Sequence, residues 1–473
     1  MKERVARKAN LQEALITFIL LMVIMAVSII VYGIDPHIPM FCGVIIAGIM
    51  GLHLGYKWAD LEQAMIAGIN RAMQSIIILA IIGILIGVWM ISGVVPAMIY
   101  YGLNILSPKI FLPAALLICS ITSLATGTSW GTAGTMGVAL IGIAHGLNVP
   151  VEVAAGAVIS GAYFGDKMSP LSDTTNLAPA MAGTDVFTHV KHMIPSTVIA
   201  YAITLAAFSY IGSGYAVESA SLDNVIAIQK GILDQFTINP VLLLPPLIVI
   251  VAIAMKMPAI PGIVIGILSA AVLAPLFQGA SLGAILNSGH YGYVSESGVE
   301  IIDNLLTKGG LEGMMFSISL TIIAMMFGGI VELTGQLEVI VDRITRLFKG
   351  VVGLIFATEL SCLFSNMTMP EQYISIVIPG RMFAKRYTDM GLHPKTLSNA
   401  LEATGTVTSA LIPWNTCGVF LTGALGVTTA QYWKWSFFNL SMPLVVLVMA
   451  LFGGTVAYMT EEDKKRLAET GRA

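Results

Sequence analysis

Uncharged apolar runs recur along this sequence: Leu15–Val31, Ile76–Met90, Leu242–Met255, Met314–Ile330 and Leu444–Tyr458. A helix needs about 17–25 such residues to cross a bilayer core, and these runs reach or approach that length. Only 11% of the 473 residues are charged, against roughly 25% in soluble domains. Within lipid, backbone amides must be satisfied inside the segment itself, so spans of this kind are helical. The chain reads as an all-α polytopic membrane protein.

The basic start, MKERVARK, precedes the first run, and no small-residue cleavage site follows it before Asp35-Pro36-His37. It is read as a retained first helix, not a removed signal peptide. Lys and Arg favour the cytoplasmic side, which places both the start and the tail with Lys464, Lys465 and Arg466 inside. The net charge of −3 comes with no basic tract, so nucleic acid is not an expected partner. The cysteines Cys42, Cys119, Cys362 and Cys417 lie in apolar segments without metal-ligand spacing, and read as small buried residues. No cofactor is expected.

Sliding the sequence along itself gives one informative offset, 242 residues. Ser92-Gly93 falls on Thr334-Gly335, Gly68 on Gly310, Thr126 on Thr368, and Asp173-Thr174 on Asn415-Thr416. The apolar segment from Met193 overlays the one from Trp435. Single identities would be chance, but breaks in hydropathy coincide with polar clusters at the same spacing. The chain is therefore divided into a first repeat (11–214), a polar connector (215–237), a second repeat (238–458) and a tail (459–473). The repeats are expected to be inverted, the pattern of a secondary transporter.

Each repeat has two interruptions rich in Gly, Pro, Ser, Thr and Asn: 125–135 and 165–176, then 365–373 and 402–416. Irregular backbone at membrane depth is tolerated only inside protein or against a wet cavity. The run GDKMSPLSDTTN, residues 165–176, concentrates Asp166, Lys167 and Asp173 where charge is expensive. A surface loop is the plain alternative, but a plain loop has no reason to recur as Pro413-Trp414-Asn415-Thr416 in the other half. Carboxylate, hydroxyl and amide oxygens suit a hard cation, and one negative charge shared between Asp173 and Asn415 suits a monovalent ion such as Na⁺. A carboxylate withdrawn from water also competes for protons near neutral pH. A site that takes either H⁺ or Na⁺ is sufficient for exchange, with an optimum at neutral to alkaline pH.

Other acids divide. Glu371, in the 365–373 break, and Glu402, just before Ala403-Thr404, are candidates to face the cavity; Glu359 is a weaker one, and Glu152 reads as a first-turn helix acid. Arg381, Lys385 and Arg386 read as a solvated cytoplasmic face.

The stretches GTSWGTAGTMG, ISGAYFGDKMSPLSDTTNLAP and ATGTVTSALIPWNTCG resemble the signature segments of the NhaC family of bacterial Na⁺/H⁺ antiporters, over nearly the whole chain. The resemblance implies a homodimeric elevator in the bacterial cell membrane, with a scaffold and a mobile domain bearing two hairpins and broken helices. It implies ion ligands at Asp166, Ser172, Asp173 and Thr174, with Asn415 and Thr416 opposite, and Thr126, Thr128 and Ser129 lining the first hairpin. Lys167, Asn176, Glu371, Glu402, Thr404, Pro413 and Trp414 complete the candidate site. The transport domain is placed mainly in 110–180 and 355–430, and the scaffold in 11–60 and 238–280. Some NhaC-like proteins exchange malate and protons for lactate and sodium, and others move amino acids, so a small carboxylate is a further candidate partner.

Two other classes compete with a transporter. A channel would also place polar residues at the midplane, but a duplicated, interrupted chain fits alternating access better. An intramembrane enzyme would need a nucleophile–base or metal constellation; GxSxG occurs by letter at 127–131 and 279–283 but without the strand–turn–helix context that gives it meaning, and no HExxH pattern is present. Asp173 is expected to carry the decisive charge, so that Asp173→Asn abolishes exchange and spares the fold.

Overall fold

The computed structural model describes residues 6–215 and 220–470. The first five residues of the basic start, residues 216–219 of the polar connector and the last three of the tail lie outside the described residues. The chain runs through α1 (Leu11–Ala26), α2 (His37–His53), α3 (Trp58–Arg71), α4 (Met73–Ile91), α5 (Val94–Ile105) and α6 (Pro108–Thr126). It continues through α7 (Ser129–Thr132), α8 (Val138–Gly146), α9 (Val151–Met168), α10 (Asp173–Ala182) and α11 (Val186–Gly214). Next come α12 (Ala220–Gln235), α13 (Leu244–Ala254), α14 (Ala259–Gln278), α15 (Leu282–Tyr291), α16 (Glu300–Leu306) and α17 (Gly310–Gly313). The remainder is α18 (Met315–Leu333), α19 (Gln336–Leu347), α20 (Gly350–Thr368), α21 (Gln372–Asp389) and α22 (Pro394–Leu401), then α23 (Thr416–Leu425), α24 (Thr429–Tyr432), α25 (Phe437–Leu451) and α26 (Glu461–Thr470).

Among the described residues, seven helices are long and apolar enough to cross a membrane, or nine if each of two sharply bent pairs is one span. This is a multi-pass membrane protein. Its outer helices expose large apolar side chains such as Ile19, Ile49, Val272 and Leu276, as suits a solvent of lipid tails. The first helix starts where the sequence calls for it. Asn10 accepts from the Glu13 amide at 3.0 Å while the Glu13 carboxylate accepts from the Asn10 amide at 2.8 Å, a reciprocal cap.

Two sequence readings shift. The polar connector contains a helix, α12, which its polarity alone does not announce. The run Leu444–Tyr458 is not one span: α25 begins earlier, at Phe437, and ends at Leu451. Gly454 N donates to Met449 O at 2.8 Å, closing the helix, and residues 457–459 then pair with the 391–393 turn (His393 N to Ala457 O, 2.8 Å; Met459 N to Gly391 O, 2.9 Å).

α2 packs on α1 and α18, α3 on α18, and α14 on α4 and α13. α6 lies along α9 and α11, α10 against α21 and α22, and α20 against α21. The α3–α18 crossing is as close as backbones allow: a Cβ on Gly68 would stand 2.1 Å from the Met325 carbonyl oxygen, and one on Gly329 2.0 Å from that of Ala64. Small residues at such crossings replace the hydrophobic drive that lipid removes.

Candidate functional site

Two interrupted segments meet tip to tip. α6 ends at Thr126, and Gly127 takes a φ of +70° that turns the chain into the short α7. A side chain at Gly127 would also sit 2.7 Å from Leu171 Cβ and 2.9 Å from Ser172 N, in the break between α9 and α10. Only glycine satisfies both the left-handed backbone and the close approach. Thr128 caps α7 by accepting from Gly131 N at 3.1 Å.

The break after α9 is stitched by its own hydroxyls and amides. Thr175 Oγ1 donates to the carbonyls of Asp166 (3.1 Å) and Lys167 (3.0 Å) in the last turn of α9, where Asp166 O also accepts from Ser169 N at 3.2 Å. Asn176 Nδ2 donates to the carbonyls of Pro170 (2.9 Å) and Ser172 (2.7 Å). The stitching holds Asp166 in place. It is 5% exposed, and Ser129 Oγ donates to its Oδ2 at 2.6 Å across the two breaks. Ser172 and Thr174 hydroxyls lie 3.1 Å apart, and Thr174 donates to Glu402 Oε1 at 3.1 Å. A buried carboxylate met by two serine hydroxyls and a backbone amide retains lone pairs for a cation.

A cavity of about 520 Å³ opens here, lined by Thr126, Thr128, Ser129, Asp166, Ser172, Asp173 and Thr174 among others. Trp130 forms part of its wall and stacks on Phe420 at 4.3 Å. Asp173, which the sequence singles out, is exposed in this cavity. Ser172 occupies the cap position of α10, so Asp173 is the first helical residue rather than its cap. The enclosed carboxylate is Asp166.

Other candidates stand apart from this cavity. Asn415 is fully buried, caps α23 by accepting from Cys417 N at 3.1 Å, and donates to Asn366 O at 3.2 Å and to Asn366 Oδ1 at 3.3 Å. Its amide is committed to holding the 402–416 break against α20. Thr416 N donates to Pro370 O at 2.9 Å, and Trp414 Nε1 to Met367 O at 2.7 Å, with Pro413 between them in the chain. Thr404 and Glu402 are buried on a π-helical turn, Glu402–Thr406; Glu371 is buried immediately before α21. Lys167 is wholly buried and Asn176 exposed; neither lines the cavity.

Sequence reasoning missed Arg71, Gln74 and Ser75 from the α3–α4 junction, Lys256 after α13, and the role of Gln372 and Tyr373 as cavity wall. Arg71 pairs with Glu332. A charge between two apolar runs was the signal for both Arg71 and Lys256. Among the described residues, no group of three or more His, Cys, Asp or Glu side chains is arranged to hold a metal ion.

The model of the Na⁺/H⁺ antiporter family matches residues 161–454, a stretch that contains all four interruptions but the first. The chain is 39% identical over 448 residues to the Na⁺/H⁺ antiporter NhaC of Alkalihalophilus pseudofirmus, covering 94% of this chain and 96% of that one. It is 39% identical over 396 residues to the malate-2H⁺/Na⁺-lactate antiporter of Bacillus subtilis, covering 84% and 85%. It is 36% identical over 470 residues to the arginine/ornithine antiporter ArcD of Halobacterium salinarum, covering 98% and 96%. With relatives this similar over nearly their whole length, the chain belongs to the Na⁺/H⁺ antiporter family.

Proposed function

We propose that this protein exchanges Na⁺ for H⁺ across the cell membrane by alternating access, with sodium bound at Asp166. The observation that carries the reading is one buried carboxylate, held by the Ser129 hydroxyl and facing a cavity edged by Thr126, Thr128, Ser172 and Thr174. Asp173, exposed in the same cavity, attracts the ion on entry. Sodium binding and proton release are linked through carboxylates that cannot all stay ionised in a dry interior.

In proteoliposomes, an inward sodium gradient is expected to drive proton efflux read by a pH dye. Acidification opposes sodium binding, so the half-saturating sodium concentration rises by about tenfold per pH unit wherever one proton is displaced per ion. A sodium affinity independent of pH would contradict the linkage.

A second reading has its own support. The cavity is far larger than a sodium ion needs, and Arg71 and Lys256 in its wall could hold a carboxylate. Malate or lactate would then travel with the ions, as the name of the Bacillus subtilis relative states for that protein. Proton flux without any organic anion separates the two.

An elevator built from two repeats is also proposed. Three consecutive helices support duplication: α4, α5 and α6 begin and end 242 residues before α18, α19 and α20 (315 − 73, 336 − 94 and 350 − 108; 333 − 91, 347 − 105 and 368 − 126). The interrupted segments lie within 110–180 and 355–430 and pack on one another, which supports a mobile domain there, with scaffold and dimer contacts from 11–60 and 238–280. Both termini are assigned to the cytoplasm. Cysteine cross-links between Ser129 and Pro258, both in the cavity wall, are expected to form in one sodium or proton condition and not in the other. Equal cross-linking in every condition would count against the elevator.

A further inference from the structure

One residue beyond Asp166 lies a group that sodium binding alone does not explain. Lys167 is 0% exposed, and its Nζ donates to Met193 Sδ at 3.2 Å, a weak acceptor. Two carboxylates lie within its electrostatic reach, Glu402 on the π-helical turn and Glu359 on α20. Glu359 is 3% exposed, and neither of its oxygens has a hydrogen-bond partner among the described residues. Glu402 Oε2 is likewise unpartnered, as is Nε2 of the buried His189, whose Nδ1 shares a hydrogen bond with Ser398 at 2.8 Å. Asn399, next to Ser398 on α22, is buried with both amide atoms unpartnered.

Buried polar atoms without partners are uncommon, and they gather where a protein uses them or holds internal water. Here three of the groups that carry them, Glu359, Glu402 and His189, lie within electrostatic reach of one lysine. Glu359 interacts electrostatically with Lys167 of α9, Tyr387 of α21 and Cys362 on its own helix, and His189 and His192 with Lys167. α25, also packed on α20, carries no titratable side chain, the charged residues of α19 are exposed, and Lys395 sits in the first turn of α22. Two carboxylates therefore share one enclosed cation. With Lys167 charged, one of them can be ionised at no net charge, and the other is best accommodated as the neutral acid.

We propose that this enclosed cluster carries the exchanged proton, with Glu359 as the carboxyl that holds it and Lys167 as the fixed counter-charge. The inference rests on the sodium–proton reading above and names the proton's place within it. Sodium entering beside Asp166 brings a second cation next to Lys167. The Glu359 proton then leaves to the aqueous side the cavity faces, so one positive charge replaces another. Departure of sodium lets Glu359 take a proton back.

The test uses the full-length chain in proteoliposomes with two readouts: sodium-driven proton flux, and exchange of radioactive sodium for unlabelled sodium. In Glu359→Gln, proton flux is expected to fall by about tenfold or more, the scale of losing the group that moves the proton, while sodium-for-sodium exchange persists. Proton flux at the wild-type rate and pH dependence overturns the proposal, and so does equal loss of both fluxes in correctly assembled protein. Should Glu359→Gln not assemble, Glu359→Asp carries the test: a pH profile displaced to lower pH by about half a unit supports the proposal, and an unmoved profile overturns it. A wild-type chain that moves sodium but no protons would sink the antiport reading itself, and this inference with it.

Discussion

Asp166→Asn is expected to cut sodium-driven proton flux by about a hundredfold or more, the cost of leaving a buried cation without its counter-charge. Breaking a buried pair by removing one partner costs about 3–5 kcal/mol, and each 1.4 kcal/mol or so is a factor of ten. Asparagine keeps the shape of Asp166 and can still accept from Ser129, whose 2.6 Å hydrogen bond spans the two breaks. The fold should survive, because a costly charge has gone from membrane depth. Asp173→Asn makes the contrast. Its side chain is exposed, so losing its charge weakens attraction at the mouth and changes sodium affinity by about tenfold at most. Flux and monodispersity of both purified variants check the pair. If Asp173→Asn abolished exchange while Asp166→Asn retained it, the assignment would be reversed.

Gly165→Val should damage assembly and exchange together. The last turn of α9 lies directly on α6, where a Cβ at Gly165 would stand 2.5 Å from Ser120 O, 2.5 Å from Leu124 N and 2.6 Å from Ser123 Cβ. Two of those three neighbours are backbone atoms that cannot rotate away. Overpacking of this kind costs about 1–3 kcal/mol, and here the relaxation would push Asp166, the next residue, away from Ser129. Gly214→Val is the control, since nothing lies within 4 Å of a Cβ there. Thermal stability in detergent, read beside sodium flux, should fall for Gly165→Val and hold for Gly214→Val. Equal stability of the two would mean that the α6–α9 contact is looser than its geometry.

What was legible in the sequence follows from the range of the forces involved. Apolar runs act over one helix, so the spans at α1, α4 and α18 could be read directly, while the end of α25 at Leu451 inside the Leu444–Tyr458 run could not. The four interruptions were legible because Gly, Pro and Asn break helices locally, and each falls at a helix end or an irregular turn. Which carboxylate is enclosed was not legible. Asp166 and Asp173 sit seven residues apart in similar surroundings, and only the packing of α6 and α7 against α9 buries one and leaves the other exposed. The pairing of Asp173 with Asn415 by offset missed a one-residue difference: Asn415 stands at the cap of α23 as Ser172 stands at the cap of α10. Arg71 and Lys256 each stand between apolar runs, but that they reach one cavity depends on the packing of helices distant in sequence. The π-helical turns at 133–137 and 402–406 arise from packing and have no residue signature.

Thallium, a heavy monovalent substitute for sodium, offers the most direct test of where the ion sits. A structure of the wild-type chain soaked with thallium should show anomalous density within coordination distance of Asp166, beside the hydroxyls of Ser129, Ser172 and Thr174, and none there in Asp166→Asn. Density at Asn415 and Asn366 instead, unchanged by Asp166→Asn, would contradict the assignment of the sodium site.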